Sequence, residues 1–180
     1  MPPADSRAGS TRGDPVVLLA VAAALLLVRA GTDVIERKDP PAIVDLVHWV
    51  APGNAEAEAR RTGKPVLYEF GAQWCGPCQR LRHDIFADRD GARRLEAIVV
   101  PVQVTDRQTE EGRNPAVVDS LQREFKVTGF PTLVVWSPET GRSVRTSGYD
   151  GSAGSTLTWI SRGAFGVRMP SAAAPSFPTH

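Results

Sequence analysis

The sequence predicts an α/β layered fold, and three observations carry that prediction. Short apolar segments at residues 66–70, 98–104 and 133–136 alternate with segments of helical character. The run at 98–104 is apolar almost throughout, the pattern of a central strand covered on both faces. A turn signal at 137–141 followed by a short strand-like stretch at 144–146 closes the pattern with a hairpin. Strands alternating with helices indicate parallel pairing in a sheet that helices cover.

The elements follow in chain order. Residues 1–14 are polar and basic, with Arg7 and Arg12, and residues 16–28 are an unbroken apolar run. That run is short of the roughly 20 residues of a membrane span and fits the apolar core of an export signal. Residues 1–30 therefore read as a signal peptide, either cleaved near Ala30 or retained as an anchor through 16–28. A buried core helix is the weaker reading, because nothing amphipathic surrounds the run. Either export reading puts the remainder outside the cytoplasm, in the periplasm or cell envelope.

Residues 31–42 read as a linker, with Lys38-Asp39-Pro40-Pro41 blocking regular structure. The folded domain is expected over 43–163. Val44, Leu46 and Val47 predict a first strand or short helix, with Trp49 capping the core. Residues 54–62 predict a helix, with Asn54 as N-cap and Gly63 as stop. After strand 66–70, residues 79–86 predict a helix. Residues 106–114 read as a polar loop. A helix is expected over 115–126, where Val117, Val118, Leu121 and Phe125 recur at helical spacing and Pro115 suits a first turn. A terminal helix is expected over 155–161. The Ala-, Pro- and Ser-rich residues 164–180 read as a disordered tail.

Composition excludes several function classes. The chain has 180 residues and a formal net charge of +1, so no electrostatic case exists for a nucleic-acid partner. It has 2 cysteines, too few for a structural disulfide framework. Its histidines, His48, His83 and His180, supply no second ligand pair at metal spacing, so no metal site is expected. A redox pair is the better reading of Cys75 and Cys78.

Those cysteines lie in Trp74-Cys75-Gly76-Pro77-Cys78, between a strand and a helix. Unpaired amides and the positive dipole end at a helix start stabilise an anion. The thiolate is the nucleophile, so such a site activates Cys75 near neutral pH. Cys75 is thus expected as an exposed attacking thiol. Cys78, about one turn inside, is expected to attack the mixed disulfide and release the substrate. Gly76 tolerates the entry turn before a proline, and Pro77 loses little by lacking an N–H in a first turn.

Two segments, residues 68–78 (Tyr-Glu-Phe-Gly-Ala-Gln-Trp-Cys-Gly-Pro-Cys) and 127–132 (Val-Thr-Gly-Phe-Pro-Thr), make the chain resemble the thioredoxin superfamily over roughly residues 45–162. Within it the chain is most similar to the C-terminal domain of the thiol:disulfide interchange protein DsbD. The carriers are Gly63-Lys64-Pro65-Val66, His83-Asp84-Ile85-Phe86 and Gln103-Val104-Thr105-Asp106. The resemblance implies a thioredoxin-like fold with a central mixed sheet. It implies that Pro131 is a cis proline opposite the cysteines, and that the backbone at Phe130 pairs with a substrate segment as an added strand. Glu69 stands where the family usually carries a buried Asp. A buried carboxyl there has a raised pKa and can take the proton of Cys78. Trp74 is expected either to shield the disulfide on the substrate face or to belong to the core. His83 reads as a partly exposed helix residue.

The resemblance also implies that the disulfide itself is the redox group, without a further cofactor. Protein thiols and disulfides would be the substrates, and a separate membrane protein would donate electrons. No dimerisation region is visible, so a monomer is expected. Gly-Pro between the cysteines resembles the reducing members, which favours a reductase. An oxidase or isomerase, a reductase for cytochrome c or copper-site maturation, and a binding or metal-delivery module are the alternatives. Loop 106–114 would be either a partner surface or a tolerated insertion.

Overall fold

The protein is described here by a computed structural model, which covers residues 16–17, 19–26 and 43–169. The chain divides into two units, residues 1–42 and 43–180. In the first, residues 16–17 and 19–26 are helical and exposed. Among the described residues no helix is long and apolar enough to cross a membrane. The expected cleavage region, the linker at 31–42 and residues 170–180 lie outside the described residues.

The second unit holds a four-stranded mixed sheet in the order β2-β1-β3-β4. The strands are β1 (Val66–Ala72), β2 (Val100–Asp106), β3 (Thr132–Trp136) and β4 (Ser143–Ser147). β1 pairs in parallel with β2 and antiparallel with β3, and β3 pairs antiparallel with β4. Every residue of β1 is buried, as its place between two strands and under two helical layers requires.

Side chains alternate across a strand, and here the alternation sorts the core. Val66, Tyr68 and Phe70 join Val102, Val104 and Val134 on one face. That face is covered by α1 (Ala55–Thr62) and α5 (Ala116–Glu124). Leu67 joins Leu133 and Val135 on the other. There the cover is α2 (Gly76–Leu81), α3 (Arg89–Ile98) and α6 (Ala153–Arg168). Val66, Leu67 and Phe70 are fully buried, each contributing about 1.5–3 kcal/mol of transfer free energy. A short α4 (Gln108–Glu111) lies in the loop after β2.

Several expectations are corrected. Residues 43–50 form neither strand nor helix but an irregular strap, held by isolated bonds such as the Leu46 N–H to the Phe86 carbonyl (2.7 Å), the His48 N–H to Glu96 Oε1 (2.6 Å) and the Val50 N–H to the Pro101 carbonyl (2.9 Å). Val44 remains 73% exposed, so no apolar face there demands a sheet partner. Asn54 occupies the cap position of α1, but its side chain makes no capping bond; Gly63 does end that helix, at φ 67°. Pro115 stands at the cap of α5 rather than in its first turn. The cysteine helix opens at Gly76 and continues as a π turn over Arg82–Phe86.

The loop 106–114 contains α4 and is tied down by Asp106. Its carboxylate accepts from the Gln108 N–H (3.1 Å), Asn114 Nδ2 (2.8 Å) and Gln122 Nε2 (2.9 Å). Burial pushes the Asp106 pKa up, but these donors prevail and hold it below the usual range. The terminal helix runs to Arg168 rather than stopping near 161. Ala164 and Val167 are buried against the core, so residues 164–168 are not tail. Gly163 permits the approach, since a Cβ there would lie 2.9 Å from Val144 Cγ2.

Helix α3 is an element the sequence does not announce. Asp88 caps it by accepting the Gly91 N–H at 2.7 Å, and Ala92 and Leu95 point inward. Gly91 packs against the π turn so closely that a Cβ would meet the Ile85 carbonyl oxygen at 2.6 Å. Gly91→Ala gains about 1 kcal/mol of helix preference but forces a backbone shift costing about 1–3 kcal/mol. A lowered urea midpoint is expected; an unchanged or raised midpoint refutes the clash.

Candidate active site

Strand β1 delivers the chain to the site, and the helix start that follows holds the sulfurs. After Ala72 the chain turns, with the Cys75 N–H donating to the Ala72 carbonyl at 3.2 Å. Cys75 is extended at φ −79° and serves as N-cap of α2. The Cys78 N–H donates to Cys75 Sγ at 3.2 Å. One of the amides that a helix start leaves unpaired is thus aimed at Cys75 Sγ. Pro77 sits in the first turn, where no N–H is missed.

Cys75 and Cys78 are joined in a disulfide of 2.04 Å. The expectation of an exposed Cys75 is corrected: in this oxidised state Cys75 is 3% exposed and Cys78 6%. Ala72 and the two cysteines cluster, and Phe130 packs on them from the far side of the sequence. The Phe130–Pro131 peptide is cis. Trp74 is 59% exposed, so it is not core. Its ring meets Phe130 edge-on at 6.1 Å between centroids. Gly76 is exposed and Pro77 half-buried beside it. The structure therefore sets Trp74, Gly76, Pro77 and Phe130 around the disulfide, with the buried Pro131 next in the chain to Phe130.

Glu69 shares the face of Leu67, which is the face under α2. It is 4% exposed and lies in register with Gln103 on β2 and Leu133 on β3. A Cβ on Gly71 would stand 2.6 Å from Glu69 Oε1 and 3.6 Å from Cys78 Sγ. The missing side chain of Gly71 is thus what lets carboxyl and inner sulfur face the same space. That space is a cavity of about 200 Å³ whose walls include Glu69, Cys78, Arg82, Gln103 and Arg107. Burial pushes the Glu69 pKa up to about 7, against a hydrogen bond from Gln103 that lowers it.

Arg82, Asp45 and Gln103 have no assigned role in the sequence reading of this site. Arg82, one turn beyond Cys78 on the same helix face, walls the cavity. Its Nε donates to Asp45 Oδ1 at 2.6 Å, and Trp49 Nε1 donates to Asp45 Oδ2 at 2.9 Å. Gln103 carried a readable signal, a polar residue between Val102 and Val104 in a buried strand. His83 lies outside this group: its Nδ1 pairs with Asp84 Oδ1 at 2.9 Å, and Tyr149 donates to the other oxygen at 2.7 Å. Among the described residues no cluster of His, Cys, Asp and Glu is placed to hold a metal.

Comparison with known proteins agrees with this geometry. The family described as "Thioredoxin-like domain" matches residues 52–160. The protein disulfide-isomerase erp38 of Neurospora crassa is 32% identical over 110 residues, 61% of this chain and 26% of that protein. The thiol:disulfide interchange protein DsbD of Actinobacillus pleuropneumoniae is 29% identical over 103 residues, 56% of this chain and 16% of that protein. The match thus spans only a minor part of either relative. Among solved structures, a DsbH oxidoreductase superposes with a TM-score of 0.58 at 19% identity, covering 72% of this chain and 92% of its own. That likeness concerns the fold.

Proposed function

This chain belongs to the thioredoxin-like domain family, and from that premise we propose that it is a thiol–disulfide oxidoreductase that reduces protein disulfides outside the cytoplasm. The observation that carries the reading is the Cys75–Cys78 pair at a helix start, with the Cys78 amide aimed at Cys75 Sγ and a buried Glu69 beside Cys78.

In the reduced protein, the Cys75 thiolate attacks one sulfur of a client disulfide. A mixed disulfide forms and the first client thiolate leaves. Cys78 then gives its proton to the Glu69 carboxylate and attacks Cys75 Sγ. The Cys75–Cys78 bond forms, the second client thiolate leaves and takes a proton from water. Two electrons pass from the dithiol to the client. The pair needs no other redox group; re-reduction falls to an external dithiol, which we assign to a membrane protein by the DsbD similarity. The exposed Trp74 and the half-buried Phe130 supply an aromatic surface for the client, whose backbone would add alongside residue 130.

Gly76-Pro77 between the cysteines favours the reducing direction, and the basic-then-apolar pattern of residues 1–28 favours export. Disulfide couples of this fold range from about −270 mV for thioredoxin to about −120 mV for DsbA. A redox titration should put this protein nearer the first value; a result near the second overturns the direction. Cys78→Ser should accumulate reductant-sensitive mixed disulfides on Cys75. Their absence, with Cys75 present and reduced, refutes the division of roles.

A further inference from the structure

The geometry points to Arg82 and Asp45 as positioning residues that act on Glu69 in opposite senses and together set the pH at which Cys78 resolves the mixed disulfide. The inference rests on the reading of Glu69 as proton acceptor given under Proposed function.

Asp45 belongs to the strap and Arg82 to the helix of the cysteines, and nothing else holds those two segments together by charge. Their bond is short, at 2.6 Å, and the Asp45 side chain is 9% exposed against 36% for Arg82. A bond between Trp49 Nε1 and the second Asp45 oxygen fixes the carboxylate further. Arg82 reaches one wall of the cavity that Glu69 and Cys78 share. Arg82 thus shares the space that Glu69 faces, and the 2.6 Å bond places the Asp45 carboxylate directly behind it. Beyond burial and the Gln103 bond, Asp45 raises the proton affinity of Glu69 and Arg82 lowers it.

The other elements packed on Glu69 add no competing carboxylate. β2 presents Gln103, β3 presents Leu133, and α2 presents Cys78. Arg107, from the loop that Asp106 anchors, is the remaining charge on the cavity wall.

An ion pair with only a structural role makes a different prediction from one that tunes a neighbour. Asp45→Asn and Arg82→Gln break the same contact, so a structural role moves both variants the same way. Tuning moves them apart. Asp45→Asn leaves Arg82 facing Glu69 unopposed and favours the carboxylate. Arg82→Gln leaves Asp45 unopposed and favours the acid.

The test measures two quantities across pH 5–9 in the full chain. One is the Glu69 carboxyl midpoint, followed by carbon NMR. The other is the rate of mixed-disulfide resolution in a single turnover. Asp45→Asn should move both midpoints down and Arg82→Gln should move both up, each by roughly 0.5–1 pH unit. Arg82→Lys, which keeps the charge, should stay near the wild type, and it guards against a variant that simply misfolds. Shifts of the same sign, or none, in the NMR midpoints overturn the proposal. Opposite NMR shifts with an unmoved rate profile overturn it as well, and they locate the failure in the acceptor role of Glu69 rather than in the charge couple.

Discussion

Cys75→Ser is expected to abolish reduction of insulin disulfides, with kcat/KM falling on the order of 10⁵-fold, the scale of losing a catalytic nucleophile. A serine hydroxyl at the start of α2 stays protonated near neutral pH, and no stable bond to a client sulfur can form. Cys78 cannot take over, because it lies inside the first turn and its amide serves the sulfur that would be missing. Binding of a client to the Trp74 and Phe130 surface should survive. The measurement is an insulin turbidity assay beside a binding titration with a cysteine-free client peptide. Activity within tenfold of the wild type would remove Cys75 from the chemistry, and loss of peptide binding would mean that the variant had disturbed more than the sulfur.

Glu69→Gln is expected to change stability and rate in opposite directions. In the folded, oxidised protein Glu69 holds its proton up to about 7. The unfolded chain releases that proton near the ordinary glutamate value of about 4.3. Between those two pH values the folded state binds more protons, so stability falls as pH rises through the window. The loss amounts to about 4 kcal/mol, at roughly 1.4 kcal/mol for each tenfold change in proton affinity. Glutamine is uncharged and nearly the same shape, so the variant escapes the loss. Urea unfolding should find it more stable than the wild type by about 4 kcal/mol at pH 8, with the difference fading toward pH 4.5. Resolution of the mixed disulfide should meanwhile slow on the order of 10²-fold near pH 7 and lose its rise through that range. Parallel stability curves for the two proteins would show that Glu69 is not a buried acid.

Much of this architecture was legible, and the exceptions have physical reasons. The strands at Val66, Val100 and Thr132 carry apolar residues under two helical layers, and such runs are distinctive in sequence. The cysteine motif, Glu69 and Pro131 were readable because each is tied to a local pattern. Helix α3 is hard to read because half of its residues are charged and only Gly91, Ala92 and Leu95 are buried. The end of α6 was hidden by Gly163 and Gly166, residues that usually interrupt helices but here allow contact with the sheet or cost little. The burial of Cys75 is not legible in the sequence because its cover, Phe130, comes from a distant loop. Asp45 meets Arg82 only through the path of the strap, and no spacing in the chain announces such a meeting.

The cavity beside Cys78 contains neither Trp74 nor Phe130 in its walls, and its rim carries Gln73, Gln79 and Arg107. Gln73 and Arg107 are exposed. On the proposed reading, sulfur traffic and proton traffic therefore use separate doors. A client seated over the aromatic pair can stay docked while hydrogen ions equilibrate with bulk water behind it. Clients of very different size can then share one acid–base clock, since none of them has to leave before it resets.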